Sequence, residues 1–100
     1  MINRTEIRRI VIESLLELVS RGKEIELPVV NEATDPIKNL GLCSEDGIEL
    51  ACLLSLKLGF EIPHELNPIK DDARRRPRRV GEIVEFLLNL IDEKGIVNNA

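Results

Sequence analysis

Apolar residues recur three and four positions apart in three stretches of the chain, and each stretch predicts a helix. In the first, Ile7, Ile10, Val11, Leu15, Leu18 and Val19 line one face, with Arg4, Arg8, Arg9, Glu13 and Glu17 on the other. Asn3 stands at its opening with Glu6 three residues on, in capping-box position, and Gly22 supplies a stop. The second predicted helix runs from about Ser44 to Leu58. Ser44 is placed as its N-cap, and Glu45, Asp46 and Glu49 follow where carboxylates suit the positive end of the helix dipole. Ile48, Ala51, Cys52 and Ser55 form one stripe, which Leu50, Leu53, Leu54 and Leu58 widen, so this helix is expected to be central and buried. Cys52 is expected inside it as a small buried hydrophobe. The third carries Val80, Ile83, Val84, Leu87, Leu90 and Ile91, with Pro77 in its first turn, Gly95 as its stop and Ile96 to Ala100 as a frayed tail. Gly81 either costs this helix about 1 kcal/mol relative to Ala or allows a close crossing.

Two stretches between these patterns read differently. Lys23 to Cys43 is a long loop. Its Leu27-Pro28-Val29-Val30 run is too short and too broken by proline for a strand, while Pro36 is able to begin a helical turn. A loop of this length in a small domain is expected to pack its apolar residues, Leu27, Val29, Val30, Ile37 and Leu40, on the bundle. From Pro63 to Val80 the chain is punctuated by Pro68 and Pro77 and holds the arginine-rich run Lys70 to Arg79. A short third helical turn is expected within Asn67–Arg76. The resulting expectation is an all-α, small four-helix bundle, three long helices and one short. A long loop joins the first two, and residues 1–100 form a single domain.

Composition narrows the classes of function. Phe60 and Phe86 are the only aromatic residues, and the net charge is −4, which argues against general nucleic-acid binding. The run RRRPRR has no interleaved aromatics for base stacking, and a charge run of this kind is usually a solvated loop. No apolar run is long enough to span a bilayer, and MINRTEIRR has no apolar signal-peptide core, so a cytoplasmic location is expected. Cys43 and Cys52 on one helix would lie about 13 Å apart on opposite faces, beyond the reach of a disulfide, and two free thiols suit a reducing compartment. His64 is the only histidine, no cluster has metal-ligand spacing, and nothing in the sequence supports a Ser-His-Asp arrangement.

The stretch LGLCSEDGIEL, Leu40 to Leu50, resembles the prosthetic-group site of acyl carrier proteins, in which a Leu-Gly-x-Asp-Ser-Leu loop presents its serine at the start of the second helix. Leu40, Gly41 and Ser44 match, whereas Cys43 stands where that family usually has Asp and Glu45 where it usually has Leu. Ile48, Glu49 and Leu50 look like the family's Val-Glu-Leu, and Phe60, Glu61, Ile62 and Pro63 like its Phe-x-x-Glu-Ile-Pro end with Gly59 and Phe60 shifted by one or two places. The match covers about a quarter of the chain. The resemblance implies a 4'-phosphopantetheine arm attached to Ser44 that holds acyl intermediates as a thioester, for fatty-acid, cell-envelope lipid or polyketide-type biosynthesis. On this reading the chain is not an enzyme. Its partners would be a phosphopantetheinyl transferase and acyl-transferring or acyl-activating enzymes, and it would be a monomer.

Roles for other residues follow from the same resemblance. Glu45, Asp46 and Glu49 would offer charge to basic partner surfaces, and Ile48, Ala51, Cys52, Leu54, Ile62 and Leu87 would line a cavity for the acyl chain. Arg74, Arg75 and Arg76, with Arg78 and Arg79, would either dock a dedicated partner or pair with Asp71, Asp72 and Glu85 and merely order the loop. Cys43 would be a bystander. The alternative, from another class, is an unmodified carrier-like helical module for protein–protein interaction, because both altered positions flank the serine itself.

Overall fold

The computed structural model describes residues 3–63 and 65–93. His64, Gly95 and the expected tail from Ile96 to Ala100 lie outside the described residues. The chain is mostly helical: α1 (Arg4–Ser20), α2 (Asp46–Leu58) and α3 (Val80–Glu93), with two short strands, β1 (Lys70–Asp71) and β2 (Arg76–Pro77), between α2 and α3.

Helix α1 starts as its sequence dictates, with the Asn3 side chain accepting the Glu6 N–H at 2.9 Å. It ends at Ser20, where Arg21 enters the left-handed region at φ 47° and donates its N–H to Glu17 O at 2.8 Å. The stop therefore falls one residue before Gly22. Ile7, Val11 and Leu15 are fully buried, and Ser14 between them donates to Ile10 O at 2.8 Å, which satisfies its buried hydroxyl.

The central helix is α1, which packs on both α2 and α3, and not α2 as the sequence predicts. Helix α2 buries one face, through Leu50, Leu54 and Leu58, and leaves Ile48 70% and Leu56 81% exposed. Cys52, expected in the core, is exposed as well. A helix with apolar residues on two faces satisfies only the face its neighbour covers, and here that neighbour is α1 alone among the strong helix contacts. Val80, Ile83, Val84 and Leu87 of α3 complete the core with fully buried side chains.

The first long loop is fastened from Asn31 onward. Val80 and Gly81 at the head of α3 donate backbone N–H groups to Thr34 O and Glu32 O at 2.9 Å each. A Cβ on Gly81 would come within 3.0 Å of Glu32 Oε1, so the glycine does permit a close approach. Asp35 caps a single turn at the buried Pro36 by accepting from Ile37 and Lys38 N–H at 2.9 and 3.0 Å. Val30, Ile37 and Leu40 pack half-buried on the core as expected. Leu27 and Val29 do not: they are 49% and 90% exposed, in a stretch from residue 21 to 29 that is exposed throughout.

The short helix expected within Asn67–Arg76 is replaced by a hairpin in which Lys70 pairs with Pro77 and Asp71 with Arg76. Asp71 organises its turn by accepting the Arg74 N–H at 3.1 Å. Pro77 sits in β2, where a two-stranded ribbon tolerates its missing N–H, and α3 begins three residues later than a first-turn proline would place it.

Candidate functional site

Ser44 lies in the turn that leads into α2 and is not its N-cap. Glu45 holds that position, without a side-chain bond, and i→i+3 backbone bonds wind the chain from Cys43 to Ile48. Asp46, the first residue of the helix, reaches back and closes the turn: its Oδ2 accepts the Cys43 N–H at 2.8 Å. The Cys43 N–H lies ahead of the helix, so this bond closes the serine turn and satisfies no helix N–H, and the half-buried Ser44 hydroxyl takes no part in it. That hydroxyl donates to the exposed Glu45 carboxylate at 3.4 Å.

The Ser44 backbone is held from behind. Its carbonyl accepts both the Gly47 N–H at 3.0 Å and Asn67 Nδ2 at 2.9 Å. Asn67 Oδ1 accepts in turn from Ile69 and Lys70 N–H at 2.9 and 3.3 Å, so one amide ties the serine turn to the start of the hairpin. Asn67 rests directly on Gly47, where an added Cβ would lie 1.9 Å from Oδ1. Nothing in the periodic patterns announces Asn67. The available signals are a turn-forming Asn-Pro pair and a glycine inside a helix, which often marks a close approach.

The acidic residues of this region are largely occupied. Arg21 donates to Asp46 Oδ1 at 2.6 Å and lies 3.4 Å from Glu49. Asp46 is nearly buried, and its carboxyl is held below the usual range by the Cys43 backbone N–H, with the Cys43 thiol and Arg21 adding to it against a desolvation cost. The Cys43 thiol donates to Asp46 Oδ2 at 3.3 Å, which raises its pKa and keeps it protonated. Glu45 is held below its usual range by its own backbone N–H, then by Cys43 and Ser44. Of the three expected docking carboxylates, Glu45 and Glu49 are on the surface and Asp46 is part of the framework.

Beside the serine turn runs an apolar groove of about 580 Å³ between α2 and the segment after it. Ile48, Ala51, Cys52 and Ile62 line it together with Pro63, Leu66 and Asn67. The Ile62 N–H donates to Ser55 Oγ at 3.1 Å and fixes the far wall. Leu54 and Leu87, named with these residues from the sequence, lie apart from the groove in the closed core, both fully buried. The space is an open surface groove and not a chamber between packed helices.

The hairpin arginines are mostly engaged within the chain. Arg76 makes a two-pronged contact with Glu82 at 2.6 and 3.0 Å, and Arg74 reaches Glu82 at 3.3 Å and Asp71 at 3.7 Å. Arg78 lies 4.2 Å over the Phe86 ring and donates to Asn67 O at 2.7 Å and Lys70 O at 3.1 Å. Asp72 takes Lys70 and Glu85 takes Arg4, so the carboxylate that serves the arginines besides Asp71 is Glu82, which sequence reasoning missed. Arg75, at φ 56°, makes no ion pair among the described residues.

Among the described residues no group of three or more His, Cys, Asp or Glu side chains could hold a metal ion, and no helix is long and apolar enough to cross a membrane. No family model matches the chain, and comparison with curated proteins and with solved structures returned no match.

Proposed function

We propose that the chain is a carrier of the acyl-carrier type, with 4'-phosphopantetheine attached through the Ser44 hydroxyl, on a helical frame in which a hairpin replaces the family's short third helix. The observation that carries this reading is the contrast at Ser44 between a pinned backbone and a hydroxyl engaged only in an exposed hydrogen bond. Two donors hold its carbonyl, while the hydroxyl meets only an exposed carboxylate that can rotate away. A modification enzyme needs both: an acceptor oxygen it can reach, and a backbone that does not move when it is grasped.

The residues fit the group. Asp46, by taking the Cys43 N–H, supports the serine turn, and Gly47 and Asn67, both bonded to the Ser44 carbonyl, also line the apolar groove. The bound group would supply a terminal thiol for an acyl chain. Ile48, Ala51 and Ile62 would shelter part of that chain, at about 0.8 kcal/mol for each methylene removed from water. Incubation with coenzyme A and a phosphopantetheinyl transferase should add one adduct to the wild-type mass and none to Ser44→Ala. An adduct on the alanine variant would contradict the assignment.

The second reading, an unmodified helical interaction module, is favoured by a different observation. Asp46 is consumed within the fold, and α2 presents Ile48 and Leu56 to solvent. A folded chain that accepts no phosphopantetheine from its own cell's transferase would favour this reading.

A further inference from the structure

The arginines of the run from Arg74 to Arg79 are not used alike. Arg74 and Arg76 pair with carboxylates, whereas Arg78 turns its guanidinium on the main chain. Its Nη1 donates to Asn67 O at 2.7 Å and Lys70 O at 3.1 Å, with Pro68 O at 3.4 Å. The guanidinium lies 4.2 Å over the ring of Phe86, a half-buried residue of α3 that packs on the core. The Arg78 N–H donates to Ile69 O at 2.6 Å. We infer that Arg78 is a positioning residue for Ser44: it fixes the turn that carries Asn67, and Asn67 sets the angle at which the serine is offered for modification. The inference rests on the carrier reading of Ser44 and gives one arginine of the run a role at the serine itself.

Asn67 reaches Ser44 only while its amide is held at one angle. Nδ2 donates to the Ser44 carbonyl at 2.9 Å, and Oδ1 accepts the Ile69 N–H at 2.9 Å. The second bond closes a ring through the backbone of Asn67 and Pro68. Proline sets its own φ, so the ψ angles of Asn67 and Pro68 are the rotations left to fix. The carbonyls of those two residues move with these angles, and both are touched by Arg78. Buried Pro68 and Ile69 seat the turn in the core, but they do not choose the rotation of the Asn67 peptide. A planar fork stacked on a ring does so better than an ammonium, which is a point charge. Burial works against the charge on Arg78, and Asp71 and Glu82 offset part of that cost. On the other side of the serine, the bond from Asp46 to the Cys43 N–H does not involve Asn67. Loss of the Arg78 clamp therefore changes the angle of Ser44 and leaves its turn closed.

Two readouts on the full chain test this. The first needs no cofactor: the NMR shift of the Ser44 carbonyl carbon reports the bond from Asn67. Arg78→Met, which keeps a stem over Phe86 and loses the donors, should move that signal upfield, as should Asn67→Asp. Arg75→Ser should leave it in place. The second readout is the rate at which a phosphopantetheinyl transferase modifies the chain from coenzyme A. Arg78→Met should lower kcat about tenfold and leave KM within about twofold, because Glu45 and Glu49 at the surface are untouched. Asn67→Asp should lose as much, and the double variant no more than either. Arg78→Lys, which keeps the charge without the fork, should fall between wild type and Arg78→Met, and it carries the comparison if the methionine variant does not fold.

An unmoved Ser44 signal overturns the proposal whether or not the chain is a carrier. A moved signal with unchanged kcat, or losses that add in the double variant, overturns it too. A wild type that takes no phosphopantetheine defeats the carrier reading and the inference with it, and that case is told apart by a signal that still moves in Arg78→Met.

Discussion

Asn67 Nδ2 donates to the Ser44 carbonyl at 2.9 Å, while the body of its side chain lies against the bare Cα of Gly47. The candidate attachment serine is thereby fixed to a residue twenty-three positions away, ahead of the arginine hairpin. Its orientation depends on a glycine and an amide that belong to no helix stripe.

Gly47→Ala should accordingly expel Asn67, since the new methyl would overlap its amide. Overpacking of this kind costs about 1–3 kcal/mol, or a melting temperature lower by about 5–15 °C for a chain of this size. Asn67→Asp, which keeps the shape and loses the Nδ2 donor, should give a smaller decrease. A Gly47→Ala protein as stable as wild type would show that the contact is not made.

Cys43 is expected to be a sluggish nucleophile. Its thiol is hydrogen-bonded to Asp46 and its pKa is raised, so at pH 8 less of it is thiolate than in the unfolded chain. Iodoacetamide should alkylate Cys43 more slowly in the folded protein than in urea, with peptide mapping as the readout. Faster reaction in the folded state would mean that the helix N-terminus, and not Asp46, controls the thiol.

Glu82 predicts a pH dependence of stability. Arg76, then the Arg79 backbone N–H, lower its pKa from 4.5 to about 2. A carboxyl whose folded pKa is depressed contributes stability that is complete above pH 4.5 and is lost as pH falls toward 2. Arg76→Ser should flatten the fall in melting temperature across that window, whereas Arg75→Ser, which removes no ion pair with a described residue, should leave it as it is. An identical slope in all three proteins would contradict the Arg76–Glu82 contact.

Much of this fold is legible in the sequence, and the parts that are not share a cause. The buried stripe of α1 and its Asn3 cap depend on neighbours three and four residues away, which periodicity and capping chemistry report directly. Helix α2 is apolar on two faces, and periodicity alone does not say whether Leu50 and Leu54 or Ile48 and Leu56 turn inward; the position of α1 decides it. Ser44 is a good capping residue by type, yet Glu45 takes the N-cap position, and Asp46 closes the turn onto the Cys43 N–H, where Arg21, twenty-five positions away, also engages it. The hairpin escapes detection because its strands are two residues long and mostly charged, with no alternation to read. Ser44 stands out through a local motif, whereas the contact of Asn67 with it joins residues twenty-three positions apart and is settled only by the fold.

The central claim is that Ser44 carries phosphopantetheine, and the intact mass of the chain purified from its own cells tests it most directly. Part or all of that material should be heavier than the sequence mass by one phosphopantetheine group, and fragmentation should place the addition on Ser44. Ser44→Ala expressed in the same cells should have the sequence mass and the same melting temperature. A native chain found only at its sequence mass, in cells whose other carriers are fully modified, would contradict the account.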